Sequence, residues 1–509
     1  MHHRLTRAMA VVAASAMTLV PMHPSFAQDK DDFSTKTPIK HVVVIFQENV
    51  SFDHYFGTYP HAKANKDGTK FFAGAKENTP RVNGLESAGL LTNNPNAANP
   101  FRIDRSNANT CDEDHSYGDE QFAFDGGLMD RFAKLSCNDK NIGPFSTMGY
   151  FDGNTVTALW NYAQHYAMSD NSFGTTFGPS TPGLLNLVAG NTFEGTITNG
   201  LSAKGNIAGQ AMAGAVIGDP DPAGDSCSNP TRTQITMSGQ NVGDLLNKAG
   251  VTWGSFMGGF ANCAAKSTGL SGTTTDYIPH HAFFQYWQST LNANHTPRTS
   301  VAMIGHQRDG ANHEYDLTDF WDAVKAHNMP AVSFLKARAI QDGHAGYSNP
   351  LDEQIFLVNA INALEKTDEW SETAVIISYD DSDGWYDHVM GPIVNQSNVT
   401  DDQLLGAGNC GTPKPVDAAG DIQNGRCGYG PRLPLLVISP FARKNYVDHR
   451  VTDQSSILCF IEDNWSLGQI GNGSTDAIAG TLNGLFDFDS AGHNRKLLLD
   501  PATGTVLDE

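Results

Sequence analysis

The chain has 509 residues and a formal net charge of −22 at pH 7, from 55 acidic and 33 basic side chains. That excess of carboxylate argues against nucleic acid as a partner, since phosphate backbones are bound by Lys and Arg, and against simple electrostatic docking on anionic lipid. An acidic enzyme that takes a phosphate ester needs a local source of positive charge, and a metal ion is the simplest one.

Residues 1–27 have the form of an export signal: a basic start (His2, His3, Arg4, Arg7), an apolar stretch from Ala8 to Val20, and Ser25-Phe26-Ala27 as a small-residue cleavage site. The mature protein then begins at Gln28 and is expected to be periplasmic or secreted. Arg4 and Arg7 are not adjacent, which favours the general secretory route over the twin-arginine one. No later segment offers roughly 18 consecutive apolar residues, so no transmembrane segment is expected. Seven cysteines suit an oxidising compartment. Their spacing suggests Cys111 with Cys137, Cys227 with Cys263 and Cys410 with Cys427, among the connectivities that seven cysteines allow. Cys459, inside the apolar run Ile457 to Ile461, reads as a buried helical thiol.

The first strand is HVVVIF, from His41 to Phe46. A stretch from about 199 to 242 is rich in Gly, Asn, Asp and Pro and reads as an insertion. From Pro350 to about Leu364 the apolar residues Ile355, Phe356, Val358, Ile361 and Leu364 recur at helical spacing, with Asn349 as cap and Pro350 at the first helical position. Further strands follow at Ala374 to Tyr379 (AVIISY) and Leu433 to Ser439 (LPLLVIS), separated by a second insertion near 390–432. The three strands read as buried members of a parallel sheet. Strands alternating with helices predict an α/β sandwich, with residues 28–509 as one catalytic domain carrying both insertions.

Functional groups gather beyond the carboxyl ends of such strands. Glu48 and Asn49 follow the first strand, and Asp380 and Asp381 follow AVIISY. Adjacent carboxylates repel each other unless a cation or hydrogen-bond donors neutralise them. A set of Glu, Asn and two Asp suits one hard divalent cation such as Ca²⁺, Mg²⁺ or Mn²⁺. Taken singly, each cluster is equally an acidic turn or a capping pair. In FGPSTPG, Thr181-Pro182 has the cap-then-proline form of a helix start, which puts Ser180 at the amino end, where an anion is favoured. Simple capping accounts for that segment as well.

The segments QENVSFDHYFG, CDEDHSYGDEQFAFDGGLMDRF, FGPSTPG, DYIPHHAFFQYW, FLKARAIQDGHAGYSNPLDEQ, YDDSDGWYDHV, RCGYGPRLPLLVISPFA and TDQSSILCFIEDNW occur in this order between about Ile39 and Phe488. Together they resemble the successive blocks of the acid phosphatase and phospholipase C family of bacterial phosphoesterases. That resemblance implies a three-layer α/β/α sandwich of the alkaline phosphatase and sulfatase type with a metal at the strand ends. It implies Glu48, Asn49, Asp380 and Asp381 as metal ligands, Ser180 as both ligand and nucleophile, and His115, His281 and His344 around the phosphate. The reaction it implies is hydrolysis of a phosphate ester, whether a phosphomonoester, a phospholipid or both, through a phosphoserine. Two positions depart from the pattern: Ser180 stands where many members have Thr, which leaves the choice between diester and monoester cleavage open, and Val50 stands where the phospholipase branch often has Arg, a change that points towards the phosphatase-like branch. His388 and His54 read as structural, and Phe52, Tyr55, Phe56, Trp253, Trp385 and Trp465 as core or pocket-wall aromatics. Two alternatives stand beside this reading. A sulfatase is disfavoured because the nucleophile segment lacks the Cys/Ser-x-Pro-x-Arg context. A secreted lipid- or glycan-binding protein without catalysis is disfavoured because every expected position is filled.

Overall fold

Eight short strands form one sheet: His41–Gln47 (β1), Ala167–Ser169 (β2), Trp253–Met257 (β3), Glu314–Asp316 (β4), Val332–Lys336 (β5), Thr373–Tyr379 (β6), Leu435–Ile438 (β7) and Tyr446–Asp448 (β8). The computed structural model describes residues 34–193, 195–199, 207–209, 213–394, 427–489 and 495–507. The proposed export signal and most of the second insertion lie outside them.

The strand order is β4-β3-β5-β1-β6-β7-β2-β8. The first five strands run parallel, with β1 at the centre in register with β5 (Val42 beside Val332) and β6 (Val42 beside Ala374). Against the sequence expectation, β7 runs antiparallel to β6, and also to β2 on its other side. Its composition resembles that of its parallel neighbours because it is equally buried; direction is decided by how the chain connects, which an apolar run does not encode.

Every residue of β6 and all but the first of β1 are buried, so both faces of the sheet are covered. The helices include Phe52–Phe56 (α1), Tyr117–Phe124 (α2) and Leu317–Lys325 (α6); Thr157–His165 (α3) and Pro350–Leu364 (α7) pack on one another. A second group joins Ser180–Ala189 (α4) to Val242–Ala249 (α5) and Gln454–Trp465 (α8). The result is a three-layer α/β/α sandwich. Helix α7 starts as expected, with the Asn349 side chain accepting hydrogen bonds from the Leu351 and Asp352 amides at 2.8 and 3.0 Å and Pro350 at the first helical position.

Residues 195–237 contribute a separate five-stranded sheet to the first insertion. Disulfides join Cys111 to Cys137 and Cys227 to Cys263. Cys427 is also disulfide-bonded, and its expected partner Cys410 lies outside the described residues. Cys459 is a free thiol on α8 but is half-buried, since it faces the rim of the helix and not its core stripe.

Candidate metal and phosphoryl site

The ends of three neighbouring strands are tied through the backbone. Glu48 N–H donates to the Asp342 carbonyl at 2.8 Å, and Asp380 N–H donates to that of Gln47 at 3.2 Å. Glu48 and Asn49 leave β1, Asp380 and Asp381 leave β6, and Lys336 ends β5. Asn49 sits at φ 50°, a left-handed conformation that Asn tolerates better than most residues. Helix α4 brings its first residue, Ser180, against this edge. The approach depends on Gly183, where a Cβ would lie 2.3 Å from the Asp380 carbonyl oxygen.

The five expected ligands converge, and all are buried. Ser180 Oγ lies 3.1 Å from Glu48 Oε2 and 3.3 Å from Asp381 Oδ2. One terminal atom of the Asn49 amide lies 2.7 Å from Glu48 Oε2 and 2.8 Å from Asp380 Oδ1, and the other lies 3.1 Å from His344 Nε2. Hydrogen bonding inside an ion-free cage favours nitrogen in the first position, where it donates to both carboxylates. The state of His344 favours the opposite orientation. Its Nδ1 is 2.6 Å from the Ala345 carbonyl and so carries a proton, while burial and the nearby positive His115 lower its pKa to about 4. A neutral ring then presents a lone pair at Nε2, which calls for the amide nitrogen opposite it and turns the Asn49 oxygen towards the carboxylates. Oxygens from Glu48, Asn49, Ser180, Asp380 and Asp381 facing one another fit a hard divalent cation. Burial, followed by the Asp380 carboxylate, raises the Glu48 pKa well above its usual range, and burial does the same to Asp381. These groups ionise readily only with positive charge beside them.

The helix start differs from the sequence reading. Pro179, not Thr181, occupies the cap position, and no side chain of that residue caps the helix. The Thr181 amide donates instead to Asp219 Oδ1 at 2.9 Å, and Pro182 has no N–H to offer. The amide cradle for an anion is therefore smaller than the motif suggests. The Ser180 hydroxyl is free of capping and faces the cage.

All three expected histidines surround the cage, in different electrostatic states. His281, on the turn Pro279–His281, places Nδ1 3.1 Å from Glu48 Oε1. Burial, aided by the nearby positive charge of His280 and Lys336, pushes its pKa well down. For His115 burial also opposes charge, but the Asp381 and Asp112 carboxylates outweigh it and raise the pKa to about 9. Its Nδ1 lies 2.7 Å from the Glu113 carbonyl and 3.3 Å from Asp383 Oδ1, and its Nε2 is 3.5 Å from Asn49 Nδ2. The segment carrying His115 is closed by the Cys111–Cys137 disulfide and by helix Tyr117–Phe124 (α2), whose Tyr117 and Phe124 are buried in a cluster with Phe132 and Phe177. So one histidine is a cation near neutral pH and two are neutral bases.

His54 and His388 serve the framework. His54 Nδ1 pairs with the Gly149 carbonyl at 2.8 Å and its ring stacks on Trp385 at 3.9 Å. His388 Nδ1 lies 2.5 Å from Asp53 Oδ2, within an ion cluster around the fully buried Arg432.

Sequence reasoning did not single out Lys336, Glu120 or Asp342. Lys336 Nζ contacts Glu48 Oε1 and lies 3.3 Å from Asp380 Oδ2. Glu120 accepts from the Gly178 amide at 2.7 Å and from Ser382 Oγ at 2.8 Å, bridging the turn before Ser180 to the Asp381 loop. Asp342 accepts from the His344 amide at 3.0 Å and from the Tyr347 hydroxyl at 3.1 Å, which orients His344. Lys336 had one available signal: a lysine closing an apolar strand at the same edge as two acidic clusters.

The sequence is 25% identical over 480 residues to non-hemolytic phospholipase C of Pseudomonas aeruginosa, covering 93% of this chain and 60% of that protein. It is 24% identical to phospholipase C A of Mycobacterium tuberculosis (89% of this chain, 78% of the other) and 23% identical to non-specific phospholipase C3 of Arabidopsis thaliana (82% and 66%). The chain thus spans about three-fifths of the length of the Pseudomonas relative. Among solved structures, an alkaline phosphatase superfamily protein from Vibrio parahaemolyticus is similar over 88% of this chain and 73% of its own, with a TM-score of 0.30 at 10% identity. Murine ectonucleotide pyrophosphatase/phosphodiesterase 5 gives a TM-score of 0.32 at 12% identity, over 65% of this chain and 95% of its own. The sequence profile described as Phosphoesterase family matches residues 39–468, and the chain belongs to that family.

Proposed function

We propose that residues 28–509 form an exported, metal-dependent hydrolase of phosphate esters that works through a phosphorylated Ser180. The observation that carries this reading is the placement of Ser180 Oγ 3.1 Å from Glu48 Oε2 and 3.3 Å from Asp381 Oδ2, at a cage completed by Asn49 and Asp380. The bound ion supplies charge that acidifies the hydroxyl and attracts the phosphate. Ser180 Oγ bonds to phosphorus as the ester P–O bond breaks, and the alcohol leaves with a proton. Water then cleaves the Oγ–P bond and frees the phosphate or phosphorylated head group. His115, a cation near neutral pH, faces the phosphate oxygens and protonates the leaving oxygen; neutral His344 and His281 accept protons.

Relatives named phospholipases C from bacteria and a plant support a phospholipid substrate. Val50 points towards the phosphatase-like branch and Ser180 leaves monoester and diester cleavage open, so head-group assays are run in parallel on a phosphomonoester, a phosphorylcholine diester and phosphatidylcholine. The decisive test is Ser180→Ala and Asp380→Ala assayed on a chromogenic phosphate ester. Both variants should fold and lose hydrolysis, and Asp380→Ala should also lose metal on elemental analysis. Full activity in either purified variant overturns the reading.

A further inference from the structure

Two carboxylates at the cage each face Asn49 with one oxygen and Lys336 with the other. Glu48 turns Oε2 to Ser180 and to the Asn49 amide, and Oε1 to the ammonium of Lys336 and to His281 Nδ1 at 3.1 Å. Asp380 turns Oδ1 to Asn49 and Oδ2 to the same ammonium at 3.3 Å. Lys336 is 1% exposed and its Nζ stands 5.6 Å from the centre of the Phe46 ring, so it has given up its water for these two acceptors. Removing an ammonium from water is costly unless it is fully paired, and a lysine is not needed to shape the end of a strand. Glu48, Asp380 and Asp381 bring three negative charges and Lys336 one positive, which leaves two. One divalent cation balances them, so the ligands, Lys336 and the ion together carry no net charge, with the His115 cation and the Asp342 carboxylate standing beside that set.

We propose that Lys336 is a built-in counter-ion of the metal centre, a positioning residue that holds Glu48 and Asp380 each to one metal-facing oxygen and lowers the negative charge an entering phosphate must approach. The inference rests on the metal centre proposed above. It makes an uncommon prediction, because removing the charge should move two affinities in opposite directions. Without the ammonium the carboxylates attract a cation more strongly, while the loaded centre keeps a net negative charge and repels phosphate.

The test uses purified full-length protein, Mn²⁺ titrated calorimetrically, and inorganic phosphate as a competitive inhibitor of the Mn²⁺-loaded enzyme. Wild type should bind one Mn²⁺ per chain. Lys336→Met, close in shape and without charge, should bind Mn²⁺ tighter and phosphate weaker, each by about tenfold or more. Lys336→Arg, which keeps the charge, should stay near wild type in both. If Lys336→Met does not fold, Lys336→Gln, uncharged but with an amide N–H to donate, takes its place with the same expected result. Weakening of both affinities would mean that Lys336 only supports the local structure, and no change in either would mean that its charge is irrelevant; either result overturns the proposal. No Mn²⁺ binding by the wild type overturns the metal centre itself, so the two failures are distinguishable.

Discussion

At position 49 one amide can present oxygen to Glu48 and Asp380 or, turned over, nitrogen. The first state suits a bound cation and the second stabilises the cage without one, so Asn combines two roles that Asp or Leu cannot. Asn49→Gly removes the ligand and relaxes a left-handed φ of 50°. It should keep the melting temperature and weaken Mn²⁺ binding by about tenfold or more on calorimetric titration; unchanged Mn²⁺ affinity would exclude Asn49 as a ligand. A second residue-scale prediction lies away from the site. Burial, then the neighbouring Asp476 carboxylate, raises the Glu462 pKa from 4.5 to about 9. The native state keeps this carboxyl protonated while the unfolded chain ionises it, so its stabilising contribution is full below 4.5 and is lost as pH rises to about 9. Glu462→Gln mimics the protonated form and can still accept the Ile470 amide, which lies 3.1 Å from Glu462 Oε1. Thermal melts at two pH values should show the variant gaining on wild type in alkaline buffer and not in acid. An equal gain at both would contradict the assigned cause.

Among the elements, β1, β6 and α7 were legible because composition and local capping determine them. The strand runs matched to within a residue or two, and the Asn349-Pro350 helix start is built entirely from adjacent positions. The start of α4 was less legible, since Asp219, 38 positions away, accepts from the Thr181 amide, which the cap residue Pro179 has no side-chain acceptor to satisfy. The direction of β7 and the Lys336 contacts were not legible at all; Lys336 meets Glu48 across 288 positions. The strand-end positions of Glu48, Asn49, Asp380 and Asp381 suggested a cation set, but the roles proposed for Ser180 and the three histidines came from the ordered family blocks, because each short motif has an ordinary structural explanation. Packing of α4 against the β6 end gives an element-scale prediction. A methyl at Gly183 would meet the Asp380 backbone at 2.3 Å and press Ser180 away from the carboxylates. Gly183→Ala should cost about 1–3 kcal/mol of stability in denaturant titration and lose most activity even at saturating metal. Wild-type kcat in that variant would mean that the contact is easily relieved.

At the scale of the molecule, Arg432 links four parts of the chain near the site. Its guanidinium bonds Asp53 Oδ1 and Asp387 at 3.1 Å and the carbonyls of Asn83 and Asp170 at 2.6 and 2.9 Å. Removing it strands two buried carboxylates. Arg432→Met should therefore lower unfolding stability by about 3–5 kcal/mol in denaturant titration, and a loss no larger than that of a surface substitution would refute the role.

The reversal of β7 also has an evolutionary consequence. A parallel strand after β6 would require its incoming connection to cross to the opposite edge of the sheet, whereas antiparallel β7 begins at the edge where β6 ends. The chain between Tyr379 and Leu435 thus leaves from and returns to the rim that holds Asp380 and Asp381. Changes in length between Val394 and Cys427 need not alter sheet register, so that part of the chain can vary while Asp380, Asp381 and Arg432 keep their places. Exchanging residues 395–426 between relatives, followed by the parallel substrate assays, asks whether specificity can be changed without touching the proposed metal ligands.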